Sequence, residues 1–181
     1  MRFIIIFIFF FSNAIAGEVP NLKNIVINEK LKRYDDLTFL DADNNHSMVG
    51  YWLTSQSIVL VSKCENELCA TIEHIFVEEG TDQKSILDNN NKEKSLRDRT
   101  LVGINLINGF KYIDGAKKLS GGKIYDPGRG RTFKSNIYLL QNGNLKIEGC
   151  LLRMCGHEEW RPITVTFNDD GTKKVELKES L

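Results

Sequence analysis

The sequence predicts an all-β antiparallel domain, built either as a two-sheet sandwich or as a closed barrel. From residue 48 onward, eight to ten short segments are rich in β-branched and aromatic residues, and turn-forming residues separate them. No convincing amphipathic helix lies between these segments. Many short strands joined by turns are typical of sandwiches and barrels. The predicted strands are 48–54, 58–63, 69–77, 100–107, 110–113, 123–125, 132–140, 144–151, 159–167 and 173–177.

One hairpin can be assigned a register from its apolar pattern. A two-residue turn at Asn142 and Gly143 would place Leu139 opposite Lys146 and mix apolar and charged side chains on one face. A three-residue loop, with Gly143 in the left-handed conformation, pairs Leu139 with Leu145 instead. We therefore predict the three-residue loop, because register follows the buried face.

The first sixteen residues are typical of a signal peptide that is removed on export. Arg2 provides the positive start, residues 3–11 are an unbroken apolar run, and Ala14 and Ala16 supply the small residues that a signal peptidase recognises. Nine residues rise only about 14 Å as a helix, against a bilayer core of roughly 30 Å, so we expect no membrane span. The predicted organisation is a signal peptide at 1–16, an N-terminal extension at 17–47 and one β-barrel domain at 48–181. The mature protein is expected in the periplasm or outside the cell.

The charge of the chain is balanced, with 24 basic and 24 acidic residues. No block of basic residues interrupts this balance, so the sequence carries no electrostatic footprint for nucleic acid or for an anionic membrane. We expect no nucleic-acid partner.

The four cysteines form two pairs with the same spacing, Cys64 with Cys69 and Cys150 with Cys155. Four cysteines allow three disulfide pairings, and two such pairs could also bind zinc or remain free thiols. Disulfides are favoured, because exported proteins meet an oxidising environment. Among the pairings, the two local ones are our first choice.

Two polar stretches offer candidate binding residues. The glycine-rich stretch 121–133 lacks the spacing of a dinucleotide fingerprint or a phosphate loop, and its Tyr-Asp-Pro-Gly segment predicts a turn. The long polar connection at 78–100 is either a solvated link or a functional loop. We expect either a simple hairpin corner or the rim of a pocket, whose candidate residues are Tyr125, Asp126, Arg129, Arg131, Arg97 and Arg99. Arginines there would suit an anionic head group.

No catalytic motif and no cofactor site is evident. His157, His74 and His46 do not have the spacing of zinc ligands, and no Gly-x-Ser-x-Gly motif occurs. A hydrolase that brings a histidine beside a serine in space stays open as an alternative. We predict a protein without catalytic residues, metal or cofactor.

The first and late strands carry aromatic residues suited to closing a barrel. Gly50 and Trp52 lie on the first predicted strand, and Trp160 and Arg161 lie on a late one. In a closed barrel the two strands would be neighbours, so an arginine could stack on a tryptophan there.

Together these residues resemble known families. Gly50-x-Trp52 with a late arginine resembles the signature of the calycin superfamily, which includes the lipocalins. A longer ordered set is similar to the bacterial domain-of-unknown-function family 2147 over roughly residues 48–165. Its elements are Cys64-x4-Cys69, Asp88-x-Asn90, Leu96-Arg97-x-Arg99, Gly103, Gly121-Gly122-x-Ile124-Tyr125-Asp126-Pro127, Gly149-Cys150, Cys155-Gly156 and Trp160.

The resemblance implies an antiparallel lipocalin-like (calycin) barrel of about eight strands with a central cavity, preceded by a short N-terminal extension. Barrels of this size can hold one small ligand. We therefore expect an exported, non-catalytic barrel that binds a small apolar or amphipathic molecule. The alternatives are an interaction module of the envelope or host interface and a His/Ser hydrolase.

Overall fold

A computed structural model of the protein describes residues 47–168 and 173–178. The predicted signal peptide and residues 17–46 of the predicted extension lie outside this part of the chain. Two short 3-10 helices, Gln83–Ser85 and Lys94–Leu96, lie in the polar connection. No helix in the described ranges is long and apolar enough to cross a membrane. Within the described residues there are nine strands: β1 (Gly50–Leu53), β2 (Ser57–Cys64), β3 (Glu67–Ile75), β4 (Ile107–Asn108), β5 (Lys118–Asp126), β6 (Arg131–Leu139), β7 (Leu145–Leu151), β8 (Met154–Phe167) and β9 (Lys173–Leu177).

The strands form one antiparallel sheet that curls into a nearly closed barrel. Its order is β3-β2-β1-β8-β7-β6-β5-β4, and β9 pairs with the second half of β8. The segment around β4 then bonds back to β3, because Leu106 N–H donates to the Ala70 carbonyl at 2.7 Å. Leu68 N–H likewise donates to the Phe110 carbonyl at 2.8 Å. Of the two architectures that the sequence allowed, the chain therefore adopts the barrel.

The predicted strands differ from the observed ones mainly around β4. Residues 100–107 form turns that end in the two-residue β4, and 110–113 contributes only a single bridge, Glu67 to Lys111. Asn105 explains the interruption, because its side-chain Oδ1 accepts the Ala70 N–H at 2.7 Å in place of a backbone carbonyl. A side chain that competes in this way breaks a regular ladder.

Two local predictions are confirmed. Leu139 lies opposite Leu145, and Gly143 has a positive φ of 81°, as the three-residue loop requires. The two disulfides join Cys64 to Cys69 and Cys150 to Cys155, which is the local pairing. Disulfides of this kind are typical of proteins in an oxidising compartment.

The interior of the barrel is filled by its own side chains. Trp52 and Trp160 are diagonal neighbours on the inner face of β1 and β8, and both are almost fully buried. Phe110 packs against the backbone of β5 at Gly122, where an added Cβ would lie 2.4 Å from its ring. This close approach explains why Gly122 has no side chain. The buried cluster comprises Met48, Trp52, Val59, Val61, Leu68, Ala70, Ile72, Ile104, Leu106, Ile107, Phe110, Leu119, Ile137, Leu139, Leu145, Ile147 and Trp160.

A buried acidic residue lies in an irregularity of β3. The register shifts between Ile58 and Val59 of β2, so that Ile58 faces His74 while Val59 faces Ile72. Glu73, between these two, is the extra residue of a β-bulge and is only 2% exposed. Burial raises the pKa of its carboxyl from 4.5 to about 7, although the nearby Lys173 charge opposes the rise.

We predict that the stability of the fold decreases between pH 5 and pH 8. The unfolded state ionises Glu73 near pH 4.5 and the folded state only near pH 7, so its contribution is present at low pH and lost as pH rises. The difference corresponds to about 3 kcal/mol at most. Urea unfolding across this pH range should show the decline, and Glu73→Gln should flatten it. An unchanged slope in Glu73→Gln would contradict the assignment.

Candidate functional site

A buried carboxylate, Asp88, joins the polar connection to the strand before the glycine-rich corner. The Tyr125 hydroxyl on β5 donates to Asp88 Oδ1 at 2.5 Å. On the other oxygen, Asn91 Nδ2 donates at 2.7 Å, and Arg99 donates through Nε at 3.0 Å and Nη2 at 2.8 Å. Both oxygens of this fully buried side chain are therefore satisfied by neighbours. We call Asp88, Asn91, Arg99 and Tyr125 the Asp88 cluster.

The backbone of the polar connection is bound together by the same residues. Asp88 N–H donates to the Arg99 carbonyl at 3.0 Å, and Leu87 and Thr100 form a bridge. Arg97 Nε donates to the Asn91 carbonyl at 2.7 Å. The connection is therefore an organised Ω-like loop with its ends pinned, which differs from a loosely solvated link.

The corner, residues 126–131, packs directly on this loop. Asn90 Nδ2 donates to the Gly128 carbonyl at 3.1 Å. Gly130 has a φ of +57°, and a Cβ there would lie 1.7 Å from the Asn90 carbonyl oxygen. Only glycine lets the two backbones approach this closely.

The surroundings of the Asp88 cluster favour an ionised Asp88 carboxylate and a neutral Tyr125 hydroxyl. Burial alone would favour a neutral Asp88, but hydrogen bonds from Tyr125, Asn91 and Arg99 outweigh it and hold the pKa of the carboxyl below 3.8. Burial and the hydrogen bond to Asp88 raise the pKa of the Tyr125 hydroxyl to about 12. The hydroxyl thus stays a donor and the carboxylate stays charged at neutral pH.

The six residues considered for a pocket rim lie near the corner, but most of them contact one another. Tyr125 and Arg99 bind Asp88, and Arg97 binds a backbone carbonyl. Asp126 pairs with Arg129 at 2.6 Å. Arg131 is exposed and lies opposite Asp126 in the β5–β6 register. These contacts hold the corner together and are also what a ligand would have to compete with.

The residues considered for barrel closure lie on neighbouring strands. β1 pairs with β8, with Trp52 opposite Pro162 and Leu53 opposite Arg161. Directly opposite residues share a face and successive residues alternate, so Arg161 points to the other face from Trp52. The predicted Arg–Trp stack is therefore wrong for this pair. Trp52 Nε1 instead donates to the Met48 carbonyl at 3.0 Å. Gly50 begins β1 with a φ of +142°.

The described histidines are placed away from an obvious catalytic grouping. His157 is exposed on β8 opposite Glu148, and His74 packs edge-to-face on Phe76 with ring centroids 5.4 Å apart. Glu148 lies near Cys150 and Cys155 in a group with metal-ligand atom types. Both sulfurs of that group are in a disulfide, so they offer no thiolate to a metal.

A small pocket lies at the end of the barrel opposite the corner. It is a cavity of about 10 Å³, close to the size of one water molecule. Its walls come from the segment before β1, from β3, and from the loop between β4 and β5 with the start of β5, and they include Met48, Leu68, Tyr112, Ile113, Ala116 and Leu119. Ile113 is 54% exposed at its edge. We call this region the mouth.

Asp88 and Asn91 were not predicted as organising residues, and Met48 was not predicted as a pocket residue. The sequence did contain a signal for the cluster. Asp88 is followed three residues later by Asn91, and Arg97 and Arg99 follow shortly after. No sequence signal pointed to Met48, because the mouth is assembled from three distant segments.

We predict that Gly130→Ala destabilises the fold by about 2–5 kcal/mol, because the new methyl group would overlap the Asn90 carbonyl and alanine would also adopt a positive φ. The matched control is Gly143→Ala, where φ is also positive but nothing lies within 4 Å of the added atom. That variant should lose only about 1–2 kcal/mol. Urea unfolding measures both, and equal losses would contradict the close contact.

We also predict that Tyr125→Phe costs about 1–3 kcal/mol at pH 7, because it leaves a buried carboxylate oxygen without its donor. The variant should also raise the pKa of Asp88. Asp88 stabilises the fold above its ordinary pKa and stops doing so as pH falls through its folded value, so acid unfolding of Tyr125→Phe should begin at a higher pH. Tyr138→Phe, whose hydroxyl makes a 3.4 Å bond to Glu148, is the control and should change little.

Comparisons with known proteins agree with this architecture. No curated protein matches the chain. A solved structure, described as "Protein HP1028 from the human pathogen Helicobacter pylori belongs to the lipocalin family", superposes with a TM-score of 0.56 at 20% identity. The alignment covers 65% of this chain and 84% of that one, and it shows that the fold is lipocalin-like. A family described as "Uncharacterized protein conserved in bacteria (DUF2147)" matches residues 50–161, more than half of the sequence. The chain belongs to this bacterial family.

Proposed function

We propose that this protein is an exported, non-catalytic barrel that binds a small, partly apolar molecule at the mouth. The lipocalin-like fold supports a binding role in general. The observation that carries the proposal is the pocket at the mouth, where apolar side chains such as Leu68 and Leu119 lie beside the polar Ser47 and Tyr112, and an exposed Ile113 borders the opening. Apolar walls with a few polar groups are typical of small-molecule sites.

The filled interior moves the expected site away from the centre of the barrel. Trp52, Trp160 and Phe110 occupy the volume in which a deep ligand would lie, and each is less than 4% exposed. A ligand at the mouth would displace the side chain of Met48, which lines the pocket. Methionine is unbranched and adapts its shape readily, so this displacement is inexpensive compared with moving a tryptophan.

The polar groups at the mouth favour a ligand with an anionic or hydroxylated end. Ser47 lines the pocket, and the Lys63 ammonium lies over the Tyr112 ring, 5.1 Å from the ring centroid. The Tyr112 hydroxyl donates to Asp114 at 3.3 Å, a long bond that a ligand oxygen could replace. An amphipathic molecule with a short apolar part fits this combination.

A specific observation also favours the alternative of a protein or surface interaction module. The barrel interior is close-packed, and three adjacent apolar side chains, Leu151, Leu152 and Met154, are exposed instead. Exposed apolar groups of this kind often mark interaction sites. The hydrolase alternative gains no support from the described histidines, because His157 faces Glu148.

We predict that anilinonaphthalene sulfonate and decanoate, as amphipathic probes, bind at the mouth. Native mass spectrometry of protein from its host should show an added mass, and binding should change the emission of Trp52, which is bonded to the Met48 carbonyl. Ala116→Leu narrows the mouth and should weaken probe binding by about tenfold or more. Leu152→Ser, at the other end of the barrel, is the matched control and should bind normally. Binding that is unaffected by Ala116→Leu, or no binding by either probe, would overturn the proposal.

A further inference from the structure

The hairpin between β7 and β8 carries an exposed apolar tip inside a disulfide ring. Leu151 pairs with Met154, and Cys150 pairs with and is bonded to Cys155. The exposed fractions are 41% for Leu151, 93% for Leu152 and 49% for Met154. Arg153 completes the two-residue turn and is also exposed. We call residues 150–155 the finger.

The backbone at the tip is strained for the residue that occupies it. Leu152 has a φ of +56°, a conformation that favours glycine and disfavours a branched side chain. Only Glu65 shares this feature among the other non-glycine residues of the described chain. A leucine that is 93% exposed recovers nothing by packing within the protein. A two-residue hairpin turn requires a positive φ at this position, so the feature to explain is an exposed leucine where glycine or a polar residue is usual.

The other disulfide hairpin provides an internal comparison. It lies between β2 and β3, holds Glu65 in the same left-handed position and is closed by Cys64 and Cys69. Its tip, Glu65, Asn66 and Glu67, is entirely polar. β2 and β8 both run antiparallel to β1, so the end of β2 and the start of β8 lie at opposite ends of the barrel. Apolar residues are thus confined to one of two similar tips.

Basic side chains surround the finger. Lys134 lies opposite Cys150, Lys123 lies opposite Lys134, and both are exposed. Arg131 begins β6 at the same end of the barrel and is exposed. With Arg153, this makes four exposed cations beside the apolar tip.

The nearby acidic groups have partners of their own. Glu148 accepts from Asn136 at 2.9 Å, and Glu158 accepts from the Ser55 hydroxyl at 2.8 Å. Asp126 is paired with Arg129. Glu159 accepts from Asn144 at 3.0 Å, near the far end of the β7–β8 ladder. The bonds from Asn136 and Ser55 leave the charges of Glu148 and Glu158 in place, whereas Asp126 is balanced by Arg129. Among these groups, the four cations beside the finger therefore stand against two carboxylates, which leaves a local positive region at this end.

We propose that the finger inserts into the interfacial layer of an anionic phospholipid bilayer. Leu151, Leu152 and Met154 would enter the boundary between headgroups and acyl chains, where apolar side chains gain by leaving water. Arg153, Lys134 and Arg131 would meet the phosphate groups, and each such cation near an anionic leaflet adds to the attraction. The disulfide holds the tip in shape, so little ordering is needed on binding.

The test is co-sedimentation of the full mature protein with phosphatidylcholine vesicles, with and without phosphatidylglycerol. We expect binding to the anionic vesicles, weaker binding to phosphatidylcholine alone, and a decrease with added salt. Leu152→Ser should lower the partition coefficient by about tenfold. Glu65→Ser, in the polar hairpin at the other end, is the matched control and should bind like the wild type.

Two further variants separate insertion from a structural role of the tip. Leu152→Gly relieves the positive φ, so its unfolding midpoint should rise while vesicle binding still falls about tenfold. Leu152→Trp should keep binding and shift its emission to shorter wavelength on anionic vesicles. The proposal is overturned if the wild type does not bind these vesicles or if Leu152→Ser binds equally well. Self-association that Leu152→Ser abolishes, without vesicle binding, would assign the tip to a second copy of this chain instead.

Discussion

The charge of Asp88 is the constraint on which one end of the barrel depends. A carboxylate with no exposed surface is costly to bury unless every oxygen has donors, and here Tyr125, Asn91 and Arg99 supply them. These donors come from β5 and from both ends of a long loop, so satisfying one charge brings three segments together. Removing Tyr125 or Asn91 would leave a buried carboxylate oxygen short of a donor, and removing Arg99 would leave the charge itself uncompensated. The geometry of the corner is linked to that of the loop in this way.

The two ends of the barrel differ in the side chains that they expose. At the corner end, arginines and aspartates contact one another, and the apolar finger extends beside them. At the other end, Met48 and the loop around Tyr112 surround a small pocket over a packed interior. The functional proposals therefore concern the two ends of the barrel. Its centre is occupied by tryptophan and phenylalanine side chains.

Predictions from sequence succeeded where the controlling interactions are local. The pairing of Leu139 with Leu145 follows from the five residues between them and from the alternating apolar pattern of the two strands. Each disulfide joins cysteines only five positions apart. They failed where a distant group decides the outcome. Asn105 replaces a backbone acceptor for Ala70, and this contact across 35 residues turned a predicted strand into a short bridge. The rim arginines were found as residue types, but their partners could not be read from spacing.

The sequence by itself determined the β-class, most of the strand positions and the hairpin register, because alternation and turn residues act over short distances. For the disulfides it favoured the local pairing but left three pairings open. Only the tertiary structure decided that Asp88 would accept hydrogen bonds from three segments and join them. It also decided that Arg161 would point away from Trp52 and that Leu152 would stand exposed among cations. Those outcomes depend on which strands become neighbours and on which face each side chain lies, and these follow from closing the sheet into a barrel.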